Sequence, residues 1–134
     1  MRKVNAVIER ASDGRYSIYM DADDLDYMVT GTGDSAKEAI KVFNGGYDDI
    51  KRVYADEGRE FEEVEFSFVY DTASFLSCFQ KSFTLAGLEH ITGIAQGQLS
   101  HYANGRRKPS RQTVEKMQDA LHSFGEELAH ISFI

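Results

Sequence analysis

The spacing of apolar residues changes once along this chain, between residues 71 and 72, and that change limits the folds open to it. Before this point apolar and polar residues alternate, most clearly in "EVEFSFVY", residues 63–70. After it apolar residues recur at helical spacing, as in residues 75–83. Period two is typical of half-buried strands and period 3.6 of amphipathic helices. The sequence therefore predicts an α+β protein with two domains, residues 1–71 and residues 72–134.

The first domain is predicted to have the element order β-β-β-α-β. Alternation over residues 4–8 and 16–20, on either side of the turn Ser12-Asp13-Gly14, predicts a hairpin. The stretch "DYMVTG", residues 26–31, supplies a short third strand, and Gly31-Thr32-Gly33 is interpreted as the turn after it. Residues 64–70 form the fourth strand.

A helix is predicted to begin after Ser35, because Ser35-Ala36-Lys37-Glu38 matches a capping box. In that motif the serine hydroxyl and the glutamate carboxylate each accept from the other residue's backbone N–H. The helix would turn Ala39, Ile40 and Phe43 inward. Gly45-Gly46 predicts a weak point in its middle, since each Gly costs about 1 kcal/mol relative to Ala.

The second domain is predicted to be all-helical, with four to five short helices. Three brief helices precede the cations of "NGRRKPS", residues 104–110. Pro109 ends that segment and Ser110 caps the next helix, which Gly125 is predicted to end. The alternation in "AHISFI", residues 129–134, predicts a C-terminal strand.

Charge is divided unevenly between the two domains. Residues 1–71 hold 9 Lys and Arg against 17 Asp and Glu, whereas residues 72–134 hold 6 against 5. Residues 96–116 alone carry a local charge of +4 within a chain of net charge -7. This asymmetry indicates an acidic module joined to one that can bind a polyanion. The sequence has no apolar run long enough for a membrane span, and we expect a cytoplasmic protein.

Helical geometry divides residues 95–104 into two faces. Ala95, Leu99 and Tyr102 are predicted to face the other helices. The opposite face carries uncharged residues without a carboxylate, as a helix in the major groove of DNA requires: Gln96, Gly97, Ser100, His101 and Asn104. Gly93 is expected to make the sharp turn before this helix.

We expect the helix to read bases and the cations after it to bind the DNA backbone. Gln96 can pair with adenine, His101 can donate to guanine, and Gly97 would allow the backbone close to DNA. Together with Ser100 these are the predicted base-reading residues. The predicted backbone-binding residues lie at and beyond the helix end: Asn104, Arg106, Arg107 and Lys108.

The stretch "LEHITGIAQGQLSHYANGRRKPS", residues 88–110, resembles the helix-turn-helix of the phage-repressor (Xre-like) DNA-binding family. The resemblance rests on the turn Gly93, the buried aliphatic Leu99 and the trailing "NGRRKP". It implies base reading at Gln96, Gly97 and His101, and backbone contacts at Asn104 and Arg106. Glu89 stands where that family usually has a small Ala.

The first domain, through "VIERASDGRYSIYM" and "GTGDSAKEAIKVF", resembles the amino-terminal half of HicB-type antitoxins. That module is similar to a degenerate ribonuclease H fold. The resemblance implies that residues 1–71 neutralise a HicA-type ribonuclease toxin, while residues 72–134 bind operator DNA and repress the operon. The alternative is a stand-alone helix-turn-helix regulator whose first module serves dimerisation or another protein partner.

The sequence favours binding over catalysis. Asp21, Asp23, Asp24 and Asp26 lack the Gly and the distal Glu of a calcium loop, so a solvated acidic loop is favoured. The four histidines lack metal-ligand spacing, and no carboxylates form a recognisable acid and base pair. We therefore expect no cofactor, no metal and no enzymatic activity. One short recognition helix reads few base pairs, so a homodimer or higher oligomer on double-stranded DNA is expected.

Overall fold

A computed structural model describes all 134 residues, which divide into two compact units. The first unit is Met1–Ser74 and the second is Phe75–Ile134. The protein is α+β, with one four-stranded mixed sheet and five helices. No helix has the length and apolar character needed to cross a membrane.

The sheet of the first unit has the order β3-β2-β1-β4. Its strands are β1 (Arg2–Arg10), β2 (Tyr16–Met20), β3 (Thr30–Gly33) and β4 (Val64–Tyr70), and α1 (Ala36–Asp56) joins the last two. The predicted order β-β-β-α-β is confirmed. β1 pairs antiparallel with β2 and parallel with β4, so β3 and β4 are the two edge strands.

The predicted hairpin closes at Gly14, which has a φ of 84°. The Asp13 carboxylate accepts from the Arg15 N–H at 2.9 Å, and the Ala11 N–H donates to the Arg15 carbonyl at 2.8 Å. Because only Gly adopts a positive φ without a steric cost, the Asp-Gly pair fixes the turn and with it the register of β1 against β2.

The third strand lies later than predicted. Residues 26–29 are outside the ladder, and β3 includes the Gly31-Thr32-Gly33 segment that the sequence analysis interpreted as a turn. Tyr27 and Val29 are buried, but the Tyr27 hydroxyl donates to the Glu62 carbonyl and the Val29 N–H donates to the Met20 sulfur. These two residues are therefore held by contacts other than strand pairing.

β3 has glycine at positions 31 and 33 because α1 passes close above them. A Cβ at Gly31 would lie 2.5 Å from the Ala39 carbonyl oxygen, and one at Gly33 would lie 2.8 Å from the Ala39 nitrogen. Any larger residue would push the helix away from the sheet. The glycines therefore allow α1 to pack closely on β3. Because glycine is uncommon inside strands, the same residues hide the strand in the sequence.

α1 begins at the predicted N-cap, with one difference in its bonds. The Ser35 hydroxyl accepts from the Glu38 N–H at 3.1 Å, as predicted. The Glu38 carboxylate instead accepts from the Asp34 N–H at 3.0 Å, one residue before the expected donor. The helix runs without a break through Gly45-Gly46, since the buried residues Ala39, Phe43 and Tyr54 hold both halves.

Aromatic rings fill the space between α1 and the sheet. Phe43 is fully buried and meets Phe66 edge to face at 4.8 Å between ring centroids. Tyr27 stacks on Phe61 at 4.6 Å and meets Tyr54 edge to face at 6.1 Å. Burial raises the pKa of Tyr27 to about 12, because the phenolate would lose its hydration there.

The helices of the second half are α2 (Thr72–Cys78), α3 (Leu85–Thr92), α4 (Gln96–Ala103) and α5 (Arg111–Ala129). As predicted, three brief helices precede the basic segment and one longer helix follows it. Their shared core consists of six buried side chains: Leu76, Leu88, Ile94, Leu99, Tyr102 and Met117.

Two predictions for the end of the chain are wrong. α5 continues past Gly125 to Ala129, because Gly125 keeps a negative φ and its position is open to solvent. Residues 131–134 form no strand. The apolar alternation is present, but no neighbouring strand is there to pair with it.

Candidate nucleic-acid interface

α3 and α4 are joined by a turn of three residues whose geometry is fixed at Gly93. Gly93 has a φ of 74° and donates its N–H to the Glu89 carbonyl at 2.7 Å, which ends α3. This is the single-bond ending that a left-handed residue gives a helix. The sequence prediction that this turn requires Gly is confirmed.

The side chain of Thr92 links the two sides of this turn by hydrogen bonds. Its hydroxyl donates to the Leu88 carbonyl at 2.6 Å and accepts from the Ile94 N–H at 3.2 Å, and its side chain is buried. One hydroxyl therefore links the last turn of α3 to the residue that leads into α4. No role of Thr92 is predicted from the sequence, although a Thr next to a turn Gly is a signal for such a bond.

The inner face of α4 packs through Leu99, which is fully buried, and Tyr102, which is 7% exposed. The Tyr102 hydroxyl donates to the Gln98 side-chain carbonyl at 3.3 Å. Ala95 was predicted on this face but is exposed. It is the N-cap, with ψ near 141°, so helical spacing does not apply to it.

The outer face of α4 presents most of the predicted base-reading residues to solvent. Gln96, Gly97 and His101 are exposed, and Ser100 is half-buried. A Cβ at Gly97 would meet no atom within 4 Å. Internal packing therefore does not explain the glycine, and this part of the face is open.

Glu89 approaches this face from α3. The Gln96 side-chain nitrogen donates to the Glu89 carboxylate, with 3.1 Å between Nε2 and Oε2. The bond orients the Gln96 amide before any ligand arrives. It also brings a negative charge to the amino-terminal end of a helix whose own outer face has none.

The amino terminus of α4 differs from those of the neighbouring helices. Thr84 and Ser110 cap α3 and α5 by accepting backbone N–H groups at 2.9 and 3.2 Å. Ala95 has no such side chain, so no side chain caps the first N–H groups of α4. Uncapped N–H groups at a helix start are donors suited to an anion.

The basic segment begins in a Schellman ending of α4. Gly105, with a φ of 72°, donates to the Tyr102 carbonyl at 3.2 Å, and the Arg106 N–H donates to the His101 carbonyl at 2.9 Å. The Arg107 N–H reaches the same His101 oxygen at 3.4 Å. The cations thus follow closely after the end of α4.

We use "basic turn" for Arg106, Arg107 and Lys108, which are exposed and form no ion pair. Some other exposed cations form ion pairs, as Arg111 does with Glu115 at 3.2 Å. In the first unit five cations contact carboxylates: Arg2, Arg15, Lys51, Arg52 and Arg59. The basic turn therefore keeps its positive charge available to a ligand.

Two of the four aspartates in the acidic loop of the first unit form ion pairs. Asp24 contacts Arg2 at 2.5 Å, and this hydrogen bond lowers the pKa of the Asp24 carboxyl. Asp26 contacts Arg59 at 3.6 Å. No group of three or more His, Cys, Asp or Glu side chains is placed to hold a metal ion.

Comparison of this chain with protein-family models, with curated proteins and with solved structures finds no match.

Proposed function

We propose that residues 84–110 form a helix-turn-helix that binds double-stranded DNA sequence-specifically, as a transcriptional regulator. The observation that carries the proposal is the combination at α4 of an uncharged, exposed face with an unpaired basic turn directly after it. An α-helix with its side chains is about 10–12 Å in diameter. That diameter suits the major groove, which is about 12 Å wide.

The segment after α4 is suited to phosphates and the outer face of α4 to bases. The basic turn lies just beyond the last turn of α4. In the proposed complex Gln96, Gly97, Ser100 and His101 read base edges. Asn104 and the basic turn bind the backbone and supply the affinity that does not depend on sequence.

In the same proposal, residues 1–71 bind a protein partner, and the resemblance to HicB-type antitoxins suggests a HicA-type ribonuclease toxin. Residues 1–71 hold 17 acidic and 9 basic residues. Their net negative charge would attract a basic partner. The alternative, a stand-alone regulator whose first module dimerises, predicts no such partner. Pull-down of a small basic ribonuclease by the full chain separates the two.

The proposed function is tested by DNA binding at physiological salt. Fluorescence anisotropy of the full chain is measured on labelled DNA from upstream of its own gene and on a shuffled duplex of equal length. We expect tighter binding to the first by roughly a thousandfold or more, the range typical of specific regulators. Equal affinity for the two duplexes would overturn the proposal.

A pair of variants assigns the binding to the proposed face. His101→Ala removes an exposed residue of α4, whereas Gln118→Ala removes an exposed polar residue of α5 outside that face. We expect loss of the preference in the first variant and its retention in the second. Equal effects of the two substitutions would mean that another surface binds the DNA.

A further inference from the structure

Gln98 lies in α4 at the border between the outer and the inner face of that helix. Since each residue turns the helix by about 100°, Gln98 is about 60° from His101, which is exposed, and about 40° from Tyr102, which is buried. The Gln98 side chain is itself exposed. It therefore belongs neither to the core nor to the residues proposed to read bases.

The Gln98 amide is held in one orientation from inside the protein. Its Oε1 accepts from the Tyr102 hydroxyl at 3.3 Å. Tyr102 is packed in the core of the second unit with Leu99 and Met117, so its hydroxyl is a fixed donor. An exposed glutamine normally loses side-chain freedom when it binds a ligand, and this bond removes part of that cost beforehand.

The orientation of the amide decides which group Gln98 offers to a ligand. Because Oε1 is bonded to Tyr102, the NH2 group points away from the core, and Nε2 forms no hydrogen bond within the protein. A group that offers free donors suits an acceptor without a proton, such as a phosphate oxygen. Adenine pairs with both the oxygen and the nitrogen of an amide, and in Gln98 the oxygen is engaged.

The border position also favours the DNA backbone over the bases. A helix in the major groove turns its outer face to the base edges, while its flanks lie beside the two sugar-phosphate backbones that wall the groove. Gln98 is on such a flank. It lies roughly 7 Å along the axis before Ala103, the last residue of α4, so it is separated from the basic turn, which follows that end.

We infer that Gln98 donates from Nε2 to a DNA phosphate oxygen, and that Tyr102 is a positioning residue that orients the amide. The inference rests on the proposed binding of DNA by α4. It adds a neutral contact to the charged contacts of the basic turn. Because a neutral donor releases no counterion from DNA, the affinity that Gln98 supplies does not depend on salt.

Gln98→Ala tests the contact by fluorescence anisotropy on the upstream duplex and on the shuffled duplex. Binding to both should weaken by about tenfold, as for one hydrogen bond to a charged group, and the slope of log K against log salt should not change. Gln118→Ala in α5 is the matched control and should bind as the wild type does. Unchanged affinity in Gln98→Ala would overturn the inference, and so would a changed base preference, which would mean that Gln98 reads a base.

Tyr102→Phe tests the positioning role, because it removes the hydroxyl and keeps the ring in the core. It should weaken DNA binding by a smaller factor than Gln98→Ala does, and it should have no further effect when the two changes are combined. Additive losses would show that the Tyr102 hydroxyl does not act through Gln98. Thermal unfolding of the variants checks that each is folded.

Single methylphosphonate substitutions in the upstream duplex locate the phosphate, since each replaces one charged oxygen by a methyl group. At one position the substitution should weaken binding of the wild type and leave the affinity of Gln98→Ala unchanged. If every substitution weakens both proteins by the same factor, Gln98 contacts no phosphate.

The results separate the inference from the proposed function. A wild type that prefers its upstream duplex, together with a Gln98→Ala variant of equal affinity, contradicts only the inference. Equal affinity of the wild type for the two duplexes, together with a loss in Gln98→Ala, contradicts only sequence-specific regulation. A chain that binds no DNA contradicts both.

Discussion

The side-chain amide of Gln96 in α4 donates a hydrogen bond to the carboxylate of Glu89 in α3, over 3.1 Å. In the proposed complex this bond both orients a base-reading amide and places a negative charge near DNA. Glu89→Ala removes both effects. We expect tighter binding to every duplex, because a repulsive charge is lost, together with a weaker preference at the base pair that Gln96 reads.

The control for Glu89 is Glu89→Gln, which removes the charge but keeps an oxygen that can accept from Gln96. Its binding should tighten as in Glu89→Ala, while the base preference is retained. Anisotropy titrations against duplexes that vary one base pair at a time measure both quantities. Identical base preferences in the two variants would show that the hydrogen bond has no part in readout.

Removing a cation of the basic turn should change DNA affinity in a different way, through its dependence on salt. Because Arg106 is exposed and forms no ion pair, Arg106→Ala breaks no salt bridge within the protein, and it should weaken binding to all duplexes alike. The slope of log K against log salt should fall by about one. Gln96→Ala should instead change the base preference and leave that slope unchanged. A uniform loss of affinity in Gln96→Ala would contradict the assigned roles.

Thr92 is expected to stabilise the α3–α4 turn through its hydroxyl. Thr92→Val keeps the shape of the side chain but leaves the buried Ile94 N–H without its acceptor. The free energy of unfolding should fall by about 1–3 kcal/mol, the cost of an unsatisfied buried group. Urea denaturation measures this. Thr92→Ser retains the hydroxyl and should lose less, so an equal loss in both variants would exclude the hydrogen bonds as the cause.

Gly31 and Gly45 should respond in opposite directions to the same substitution. Gly31→Ala places a methyl group 2.5 Å from the Ala39 carbonyl oxygen and should destabilise the fold by about 2 kcal/mol or more. Gly45→Ala adds a methyl group to open space on α1 and should stabilise it by about 0.5–1 kcal/mol. Thermal unfolding of both variants is the measurement. A tolerated Ala at 31 would contradict the close packing of α1 on β3.

Tyr27 should make the fold sensitive to alkaline pH. Its folded pKa of about 12 lies above its ordinary value of 10.0, so between these values the unfolded chain releases a proton that the folded chain keeps. The free energy of unfolding therefore falls as pH rises through this range. Tyr27→Phe removes this contribution and should flatten the pH dependence in urea titrations. Its stability below pH 10 should be lower by about 1 kcal/mol, since the bond to the Glu62 carbonyl is lost.

Sequence reasoning succeeded where a local signal fixes the structure. Ser35 and Ser110 were predicted as caps, and each accepts a backbone N–H from the residue three positions later. The alternation of residues 64–70 predicted β4 because one face of that strand is more buried than the other. The left-handed turn at Gly93 required a residue without a Cβ. In each case the determining contact lies within a few residues.

Features that depend on contacts between residues distant in the sequence were not predicted. Gly31 and Gly33 look like turn residues, and only the passage of α1 above them explains why a strand has glycine at both positions. Ala95 was placed by helical spacing although it precedes the helix. The pairing of Glu89 with Gln96 crosses from one helix to the next, so no periodicity within either helix could predict it.

The ion pairing of the cations has a consequence for the kinetics of encounter. Five of the nine cations in residues 1–71 contact carboxylates, whereas the three cations of the basic turn contact none. A polyanion approaching by diffusion is therefore repelled by the net negative charge of residues 1–71 and attracted to the basic turn. We expect most productive collisions to begin at the basic turn, so that the chain arrives at DNA already oriented and searches few wrong orientations before α4 enters the groove.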